Sequence, residues 1–498
     1  MKLIIAEKPS VGRDIAKVLG ALSNNNGYCE GSGYICTWAF GHLVSLYDCS
    51  DYKEEWKSWK SIPVIPTKFK IKLNSSSGVK EQMEVIKKLI NRDDVTTIVC
   101  ATDAGREGEL IFRHIYNYLR CKKPIERLWI NSMVEEDIKK GFENLEDGDS
   151  DKYINLYECA YAREQADWLV GINMTRCFSN MYSAYGEKPL SIGRVQTPTL
   201  KMIVDREKEI SSFVRNYYYK AQIHYDDIVA EYDVKFENRD EAESIVRAVD
   251  GTCSIIQSVK REIKRKKAPM LFDITLLQKE CNKRLGLNAK NTLDVAQSLY
   301  EKKLITYPRT DSKFLNASME IEARNLAEQI CSQRDINVTI NTKAVIDDTK
   351  VSDHHAIIPT VKALHVNSLN ETERDVLEMI MLRFIVSMSP AMLYEHVSTS
   401  IKAGDYIFKA NANRTIESGW TALDFEDRTN SIDAEKQDKN IRLFEYKEND
   451  SWQQIESNVN SIETKPKQRF TDDTLLTAME NASLKDFKNI DGIERVGL

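Results

Sequence analysis

Short apolar runs alternate with amphipathic stretches at the start of the chain, and that alternation sets the expected architecture. Leu3-Ile4-Ile5-Ala6 is a short continuous apolar run of the kind found in buried strands, and Val11 to Leu19 follows with helical spacing. Thr96-Thr97-Ile98-Val99-Cys100-Ala101 repeats the strand pattern and Glu107 to Leu119 the helical one. Strands alternating with helices predict an α/β sheet whose functional edge lies at the C-terminal ends of its strands. After Glu146-Asp147-Gly148-Asp149 the period is helical, through Tyr161 to Met174 and again from Leu200 to Lys208. From Tyr217 to Thr252 it is strand-like, as in Tyr217-Tyr218-Tyr219-Lys220-Ala221-Gln222-Ile223. Helices return beyond Pro269, and a second β-rich region carries Val397-Ser398-Thr399-Ser400-Ile401 and Tyr406-Ile407-Phe408-Lys409-Ala410. Two β-rich segments flanking a helical insert predict one domain built from discontinuous chain. The polar stretch Asp427 to Asn440 reads as a loop, and there is no internal repeat.

With 498 residues the chain is expected to form roughly three or four domains. Hydrophobic residues at 42% and charged residues at 29% describe folded rather than disordered sequence. No apolar run approaches the ~20 residues that span a bilayer. Glu7 and Lys8 interrupt the first apolar run before it could serve as a secretory signal, so a cytoplasmic protein is expected. The ten cysteines include no Cys-x-x-Cys pair, which argues against structural zinc and for reduced thiols. A net charge of −6 excludes a uniformly basic surface but not a local patch. Lys260-Arg261-Glu262-Ile263-Lys264-Arg265-Lys266-Lys267 is such a patch, either a solvated basic linker or a phosphate contact.

Candidate chemistry centres on Leu304-Ile305-Thr306-Tyr307-Pro308-Arg309-Thr310-Asp311-Ser312. A free tyrosine titrates near pH ~10, so its hydroxyl attacks only when its proton is taken or its developing charge is stabilised. Pro308 holds Tyr307 out of helix, and Arg309 offers a fork matched to two phosphate oxygens. Thr310, Asp311 and Ser312 are expected to cap a following helix. Read alone, the same residues describe a Tyr-Pro turn with an exposed arginine. Glu7 and Asp103 follow predicted strands and Glu107 opens a helix, a trio able to hold Mg²⁺ with phosphate oxygens, while Lys8 and Arg106 balance phosphate charge. In isolation Asp103 and Glu107 equally read as helix caps. Arg163 and Asp167 are four apart on one helical face, which by itself suggests a weak surface ion pair. Arg194 and Gln196 flank Val195; in an extended stretch they share a side and can grip one phosphate, and otherwise they satisfy a local turn. His354 and His355 are adjacent, a pattern more typical of packing than of metal binding.

Ala6-Glu7-Lys8-Pro9-Ser10 and Ala101-Thr102-Asp103-Ala104-Gly105-Arg106-Glu107-Gly108-Glu109 resemble a TOPRIM domain. With the Tyr307 segment added, the chain resembles a type IA DNA topoisomerase, the topoisomerase III branch most closely. Phe40-Gly41-His42-Leu43, Ala162-Arg163-Glu164-Gln165-Ala166-Asp167-Trp168-Leu169-Val170-Gly171, Ser191-Ile192-Gly193-Arg194-Val195-Gln196-Thr197-Pro198-Thr199-Leu200 and Leu271-Phe272-Asp273 extend the resemblance along the chain. So does Ser352-Asp353-His354-His355-Ala356-Ile357-Ile358-Pro359-Thr360, whose Ile358 favours the topoisomerase III branch.

The resemblance implies a multidomain α/β plus α+β protein: a TOPRIM domain over 1–150, then helical and β-rich domains forming a toroid. A helical DNA-binding domain is expected over 151–215 and 466–498, a β-rich hinge domain over 216–268 and 391–465, and a helical tyrosine domain over 269–390. It also implies ATP-independent breakage and rejoining of single-stranded DNA through a 5′-phosphotyrosyl link, with relaxation of negative supercoils and decatenation. Tyr307 is then the nucleophile, Arg309 and Lys8 stabilise the phosphate, Glu7 protonates the leaving 3′ oxygen, and His354 lies near the scissile phosphate. Glu7, Asp103 and Glu107 hold Mg²⁺, and Arg106, Arg163, Asp167, Arg194 and Gln196 contact DNA. Single-stranded and underwound DNA and a DNA helicase are the implied partners of a nucleoid-associated monomer. Two departures stand out. Gly105 replaces the second carboxylate of the family's Asp-x-Asp-x-Glu pattern, and the chain stops at Glu494-Arg495-Val496-Gly497-Leu498 where the family continues, which suggests a C-terminal truncation. The competing readings are a catalytically impaired single-strand DNA-binding fragment and a TOPRIM nuclease or primase, against which the intact Tyr307 and Arg194 motifs argue.

Overall fold

The structure, a computed structural model, describes residues 1–130, 133–183, 188–351, 354–366, 368–423, 440–453 and 455–482. The first part of the chain supplies strands β1 (Lys2–Ala6), β2 (Ser23–Asn25), β3 (Tyr28–Gly31), β4 (Tyr34–Trp38), β5 (Val44–Leu46), β6 (Ile71–Leu73), β7 (Thr97–Ala101), β8 (Ile125–Arg127) and β9 (Glu146–Asp147). Seven of them form a sheet in the order β2-β3-β4-β1-β7-β8-β9, while β5 and β6 pair separately. β1 lies parallel to both β4 and β7, with Ala6 opposite Trp38 on one side and Ala101 on the other. That register makes Glu7 and the residues just after Ala101 leave the sheet side by side.

Because side chains alternate along a strand, β1 and β7 feed two separate cores. Leu3, Ile5, Ile98 and Cys100 pack under the helices Val79–Ile90 and Arg106–Tyr118. Ile4, Ala6, Val99 and Ala101 point the other way, into a cluster that runs on through Leu299, Tyr300, Leu304, Ile305 and Tyr307. The N-terminal sheet and the tyrosine-bearing region therefore share one hydrophobic core. Next comes one long helix, Asp151–Tyr182, starting ten residues before the predicted one, and then a helix over Gln196–Ser211.

A second seven-stranded sheet contains β10 (Tyr217–Tyr225), β11 (Ile228–Tyr232), β12 (Ser254–Lys266), β13 (Met392–Ala403), β14 (Tyr406–Glu417), β15 (Ser451–Trp452) and β16 (Glu456–Glu463), in the order β15-β12-β13-β14-β11-β10-β16. It is built from two separate stretches of chain, and Lys266, the last residue of β12, pairs with Met392, the first of β13. All the chain between them, including helices Ile274–Leu285, Ala289–Glu301, Glu320–Gln333 and Glu371–Ser387, enters and leaves at that one point.

Two local expectations are corrected. The strand-like reading from Tyr217 to Thr252 holds only to Tyr232; Arg239–Val249 is a helix, capped by the Asn238 side chain accepting from the Asp240 N–H, with Ala242, Ile245 and Val249 buried at helical spacing. The basic stretch from Lys260 is not a linker, since it runs to Lys266 inside β12. There Lys260 and Lys264 pair with Glu262, and Arg261 donates to the carbonyls of Phe444 and Tyr446. Of the predicted loop at Asp427 to Asn440, residues 427–439 lie outside the described ones, as do 483–498 of the last expected segment. Among the described residues no helix is long and apolar enough to cross a membrane.

Candidate active site at the Tyr307 interface

Glu7 is the first residue past β1 and its Oε2 accepts the backbone N–H of Asp103 at 3.2 Å, so the register of β1 and β7 becomes a direct contact between two acidic positions. The loop carrying Asp103 is held from beneath by Arg127. This guanidinium is fully buried, pairs with the fully buried Glu109 at 3.1 Å, and donates to the carbonyls of Cys100, Thr102, Leu128 and Asp103. Glu109 also pairs with Arg113 at 3.1 Å. At Gly105 the backbone has φ 157° and ψ 174°, a conformation left essentially to glycine. A Cβ there would meet only His354 Nε2, at 3.9 Å. The carboxylate missing at this position thus coincides with a turn whose backbone disfavours any side chain.

The tyrosine loop is zipped to the segment that begins at His354. Thr306 N–H donates to the Ile358 carbonyl at 3.0 Å, and the Thr306 hydroxyl accepts from the Ile358 N–H at 3.0 Å. Ile305 bridges to Pro359, and the Thr310 hydroxyl donates to the His354 carbonyl at 3.0 Å. Ser312 N–H in turn donates to Thr310 Oγ1. Thr310 and Ser312 therefore stabilise the loop itself, in place of the expected helix cap, and the next helical turn begins only at Ala317. Tyr307 is 9% exposed. Its ring meets His354 at 4.4 Å and Tyr300 edge-on at 5.4 Å, within reach of the charges of Asp103 and Glu7. His354 stacks on Trp129 at 6.2 Å. Lys8 pairs with Glu301 at 3.3 Å, across the junction of the two regions, and Arg309 is exposed at the rim.

Burial, with the Asp103 charge second, pushes the Glu7 carboxyl up to about 7, against the pull of its hydrogen bond from Asp103 and of Lys8 and Arg309. Burial also raises Asp103, opposed by Lys8, the Tyr307 hydroxyl, Arg127 and Arg309. Tyr307 is pushed well above the usual tyrosine range by burial, then by Asp103 and Glu7. His354 is lowered to about 3 by burial, with His355 and Arg127 adding to it. The site as closed holds a neutral phenol, a neutral imidazole and, at Glu7, a carboxyl that keeps its proton up to about pH 7.

The structure brings Tyr307, Glu7, Asp103 and His354 together and places Lys8 and Arg309 at their edge. It does not bring Glu107 in: that residue is exposed on the first turn of the Arg106–Tyr118 helix, and among the described residues no three His, Cys, Asp or Glu side chains group closely enough to hold a metal ion. Arg106 is exposed, 3.9 Å from Cys159 Sγ on the long helix. On that helix Asp167 takes Arg194 at 2.7 Å and Arg163 at 4.0 Å, a three-residue charged group on one exposed face. Arg194 and Gln196 do not lie on an extended stretch, because Val195 is already helical and Gln196 opens the following helix, with Gly193 N–H donating to Thr197 Oγ1. Gln196 instead donates to Ser191 Oγ at 2.9 Å. Ser352 and Asp353 lie outside the described residues. Sequence reasoning missed Arg127 and Trp129; one basic residue in a short strand, near an indole, was the only available signal.

The Toprim domain family matches residues 2–133, and the family described as DNA topoisomerase matches residues 151–493. The chain belongs to the type IA DNA topoisomerases. This topoisomerase is 39% identical over 498 residues to DNA topoisomerase 3 of Bacillus subtilis, an alignment covering 97% of the chain and 67% of the relative. It is 37% identical to DNA topoisomerase 3 of Bacillus cereus, covering 96% and 67%. It thus spans about two thirds of the length of these relatives. Full-length topoisomerase I from Thermotoga maritima has the same fold, with TM-score 0.70 at 24% identity over 96% of the topoisomerase and 75% of that chain. The protein is accordingly an isomerase of DNA topology, and no finding supports the binding-remnant, nuclease or primase readings.

Proposed function

We propose that Tyr307 is the nucleophile that breaks one DNA strand, and that the closed site described above is its resting state. The observation that carries this reading is the burial of Tyr307 between His354 and Tyr300, facing the paired acids Glu7 and Asp103. When Tyr307 oxygen attacks the phosphorus, its proton passes to Asp103, the bond to the 3′ oxygen breaks, and Glu7 supplies the proton that the leaving oxygen needs. A carboxyl with a pKa of about 7 is suited to give that proton at neutral pH and take it back on rejoining. Lys8 and Arg309 add positive charge where the phosphoryl oxygens gain negative charge. The bond energy is conserved in the phosphotyrosine, so no nucleotide is consumed.

The donor set fits Mg²⁺ through Glu7 and Asp103, since Mg²⁺ commonly takes one or two carboxylates and completes its shell with phosphate and water. Bound there, it would supply charge neutralisation for the phosphate. Glu107, exposed on the helix, is not needed for this set. The charged group of Arg163, Asp167 and Arg194 supports a grip on single-stranded DNA. Underwound DNA as substrate, a helicase partner and a cytoplasmic, nucleoid-associated monomer accord with this reading.

Trapping tests it: the chain is mixed with end-labelled single-stranded DNA and Mg²⁺, denatured, and resolved for labelled protein. An adduct from the parent and none from Tyr307→Phe is expected. An adduct that survives Tyr307→Phe would assign the nucleophile elsewhere.

A further inference from the structure

The segment between β5 and β6 interleaves lysines with aromatic residues and is fastened along the long Asp151–Tyr182 helix. Arg176 of that helix, 4% exposed, donates to the carbonyls of Trp56 at 2.8 Å, Ser58 at 3.1 Å and Ser61 at 3.2 Å. Asn180 donates to the Trp59 carbonyl at 2.9 Å, and Asn173 binds both the N–H and the carbonyl of Val64. The fastening treats two tryptophans differently. Trp56 is buried, whereas Trp59 is held outward with 42% of its surface exposed and the Arg176 guanidinium 5.8 Å from its ring. Arg176 lies on one side of the indole, and the exposed ring surface is open to a planar partner.

The charge around it is unbalanced. Glu54 and Glu55 are taken by Lys57 and Lys53, and Asp48 and Asp51 by Lys72. Lys60, next to Trp59, and Lys68, further along the segment, are exposed and have no ion-pair partner among the described residues. An anchored, exposed indole beside surplus cations suits a flexible polyanion that carries planar rings.

We infer that Trp59 and Lys60, with Lys68 further along the same segment, make a second contact for single-stranded nucleic acid, a base stacking on Trp59 and phosphates meeting the lysines. The inference rests on the reading that the long helix grips a strand at Arg163 and Asp167. Arg176 lies about 20 Å along the same helix from Arg163 at 1.5 Å per residue, so one strand reaches both contacts only when it is long enough.

The test is fluorescence anisotropy of the full chain, made Tyr307→Phe to prevent covalent capture, with labelled oligothymidylates of increasing length over a range of salt. Trp59→Ala is expected to weaken long strands by about 5- to 150-fold, the range for loss of one base stack, and to leave the shortest unchanged, with Trp59→Phe restoring most of the loss. Lys60→Ala with Lys68→Ala is expected to lower the slope of log K against log salt by about 1.4, at about 0.7 per phosphate. Affinity and slope unchanged in both sets, while Arg163→Ala weakens every length, would overturn this inference and leave the gripping helix intact. That result would also hand the surface to an acidic protein. No salt-sensitive binding by the parent would overturn the helix reading and this one together.

Discussion

Replacing Arg127 tests whether the catalytic loop is held in place from below. In Arg127→Met the aliphatic stem keeps most of the volume, but Glu109, with no exposed surface, is left with Arg113 alone. Removing one partner of a buried ion pair costs about 3–5 kcal/mol. The four carbonyls that Arg127 serves add less than their number suggests, because the Cys100 carbonyl also accepts the Leu128 N–H at 3.0 Å. A total of about 4 kcal/mol follows, read as the midpoint of the first transition in a urea titration followed by circular dichroism. Arg127→Met with Glu109→Gln removes the stranded charge and should recover about half of that loss. Adduct formation should stay low in the double variant, because the Asp103 carbonyl has still lost its 2.9 Å tether. A single variant that loses less than about 1 kcal/mol, or a double variant that cleaves like the parent, would refute the reasoning.

In metal-free buffer the folded chain keeps the Glu7 proton up to about pH 7 while the unfolded chain releases it near 4.5. Stability from this group is complete below the lower value and declines as pH rises to the upper one, by about 3 kcal/mol at most. Glu7→Gln should flatten that decline in urea titrations across the interval; an unchanged slope would place the titration elsewhere. Gly105→Ala should cost on the order of 1–3 kcal/mol in the urea midpoint from backbone strain alone, and an unchanged midpoint would mean that the turn relaxes. Lys303 pairs with Asp14 at 3.0 Å across the interface that covers Tyr307. Lys303→Glu should raise the rate of Tyr307 nitration, and a compensating Asp14→Lys should lower it again; equal rates in all three proteins would remove the pair from the closing contact.

The strands and their order of burial were legible because β1 and β7 are apolar on both faces, a pattern few other elements share. Their legibility explains why Glu7 and Asp103 could be placed at one sheet edge, whereas Tyr307 joined them only through the family resemblance. The Arg239–Val249 helix was missed although its signals are present, Asn238 as cap, an acidic first turn and apolar residues at helical spacing, because the strand pattern before it was extended past its end at Tyr232. Arg127 escaped for another reason: its partner Glu109 and the carbonyls it serves are neighbours only after β7 and β8 have paired. Glu107 was grouped with the other acids on spacing, but helical geometry turns it to solvent while Glu109 turns inward. Arg194 was read in an extended stretch because nothing in Ser191 to Gln196 announces a helix start without a side-chain cap.

Lys266 and Met392 are cross-strand neighbours, so the two ends of everything between them lie about 5 Å apart. A hairpin turn could join them and leave every rung of that sheet in place. Tyr307 therefore lies on a cassette inserted between two paired strand ends of that sheet. Such an arrangement allows the cassette to be lengthened, reshaped or replaced without renegotiating the scaffold. It also has the geometry of a lever, in which a small twist at the two-strand stalk would become a large displacement at Tyr307.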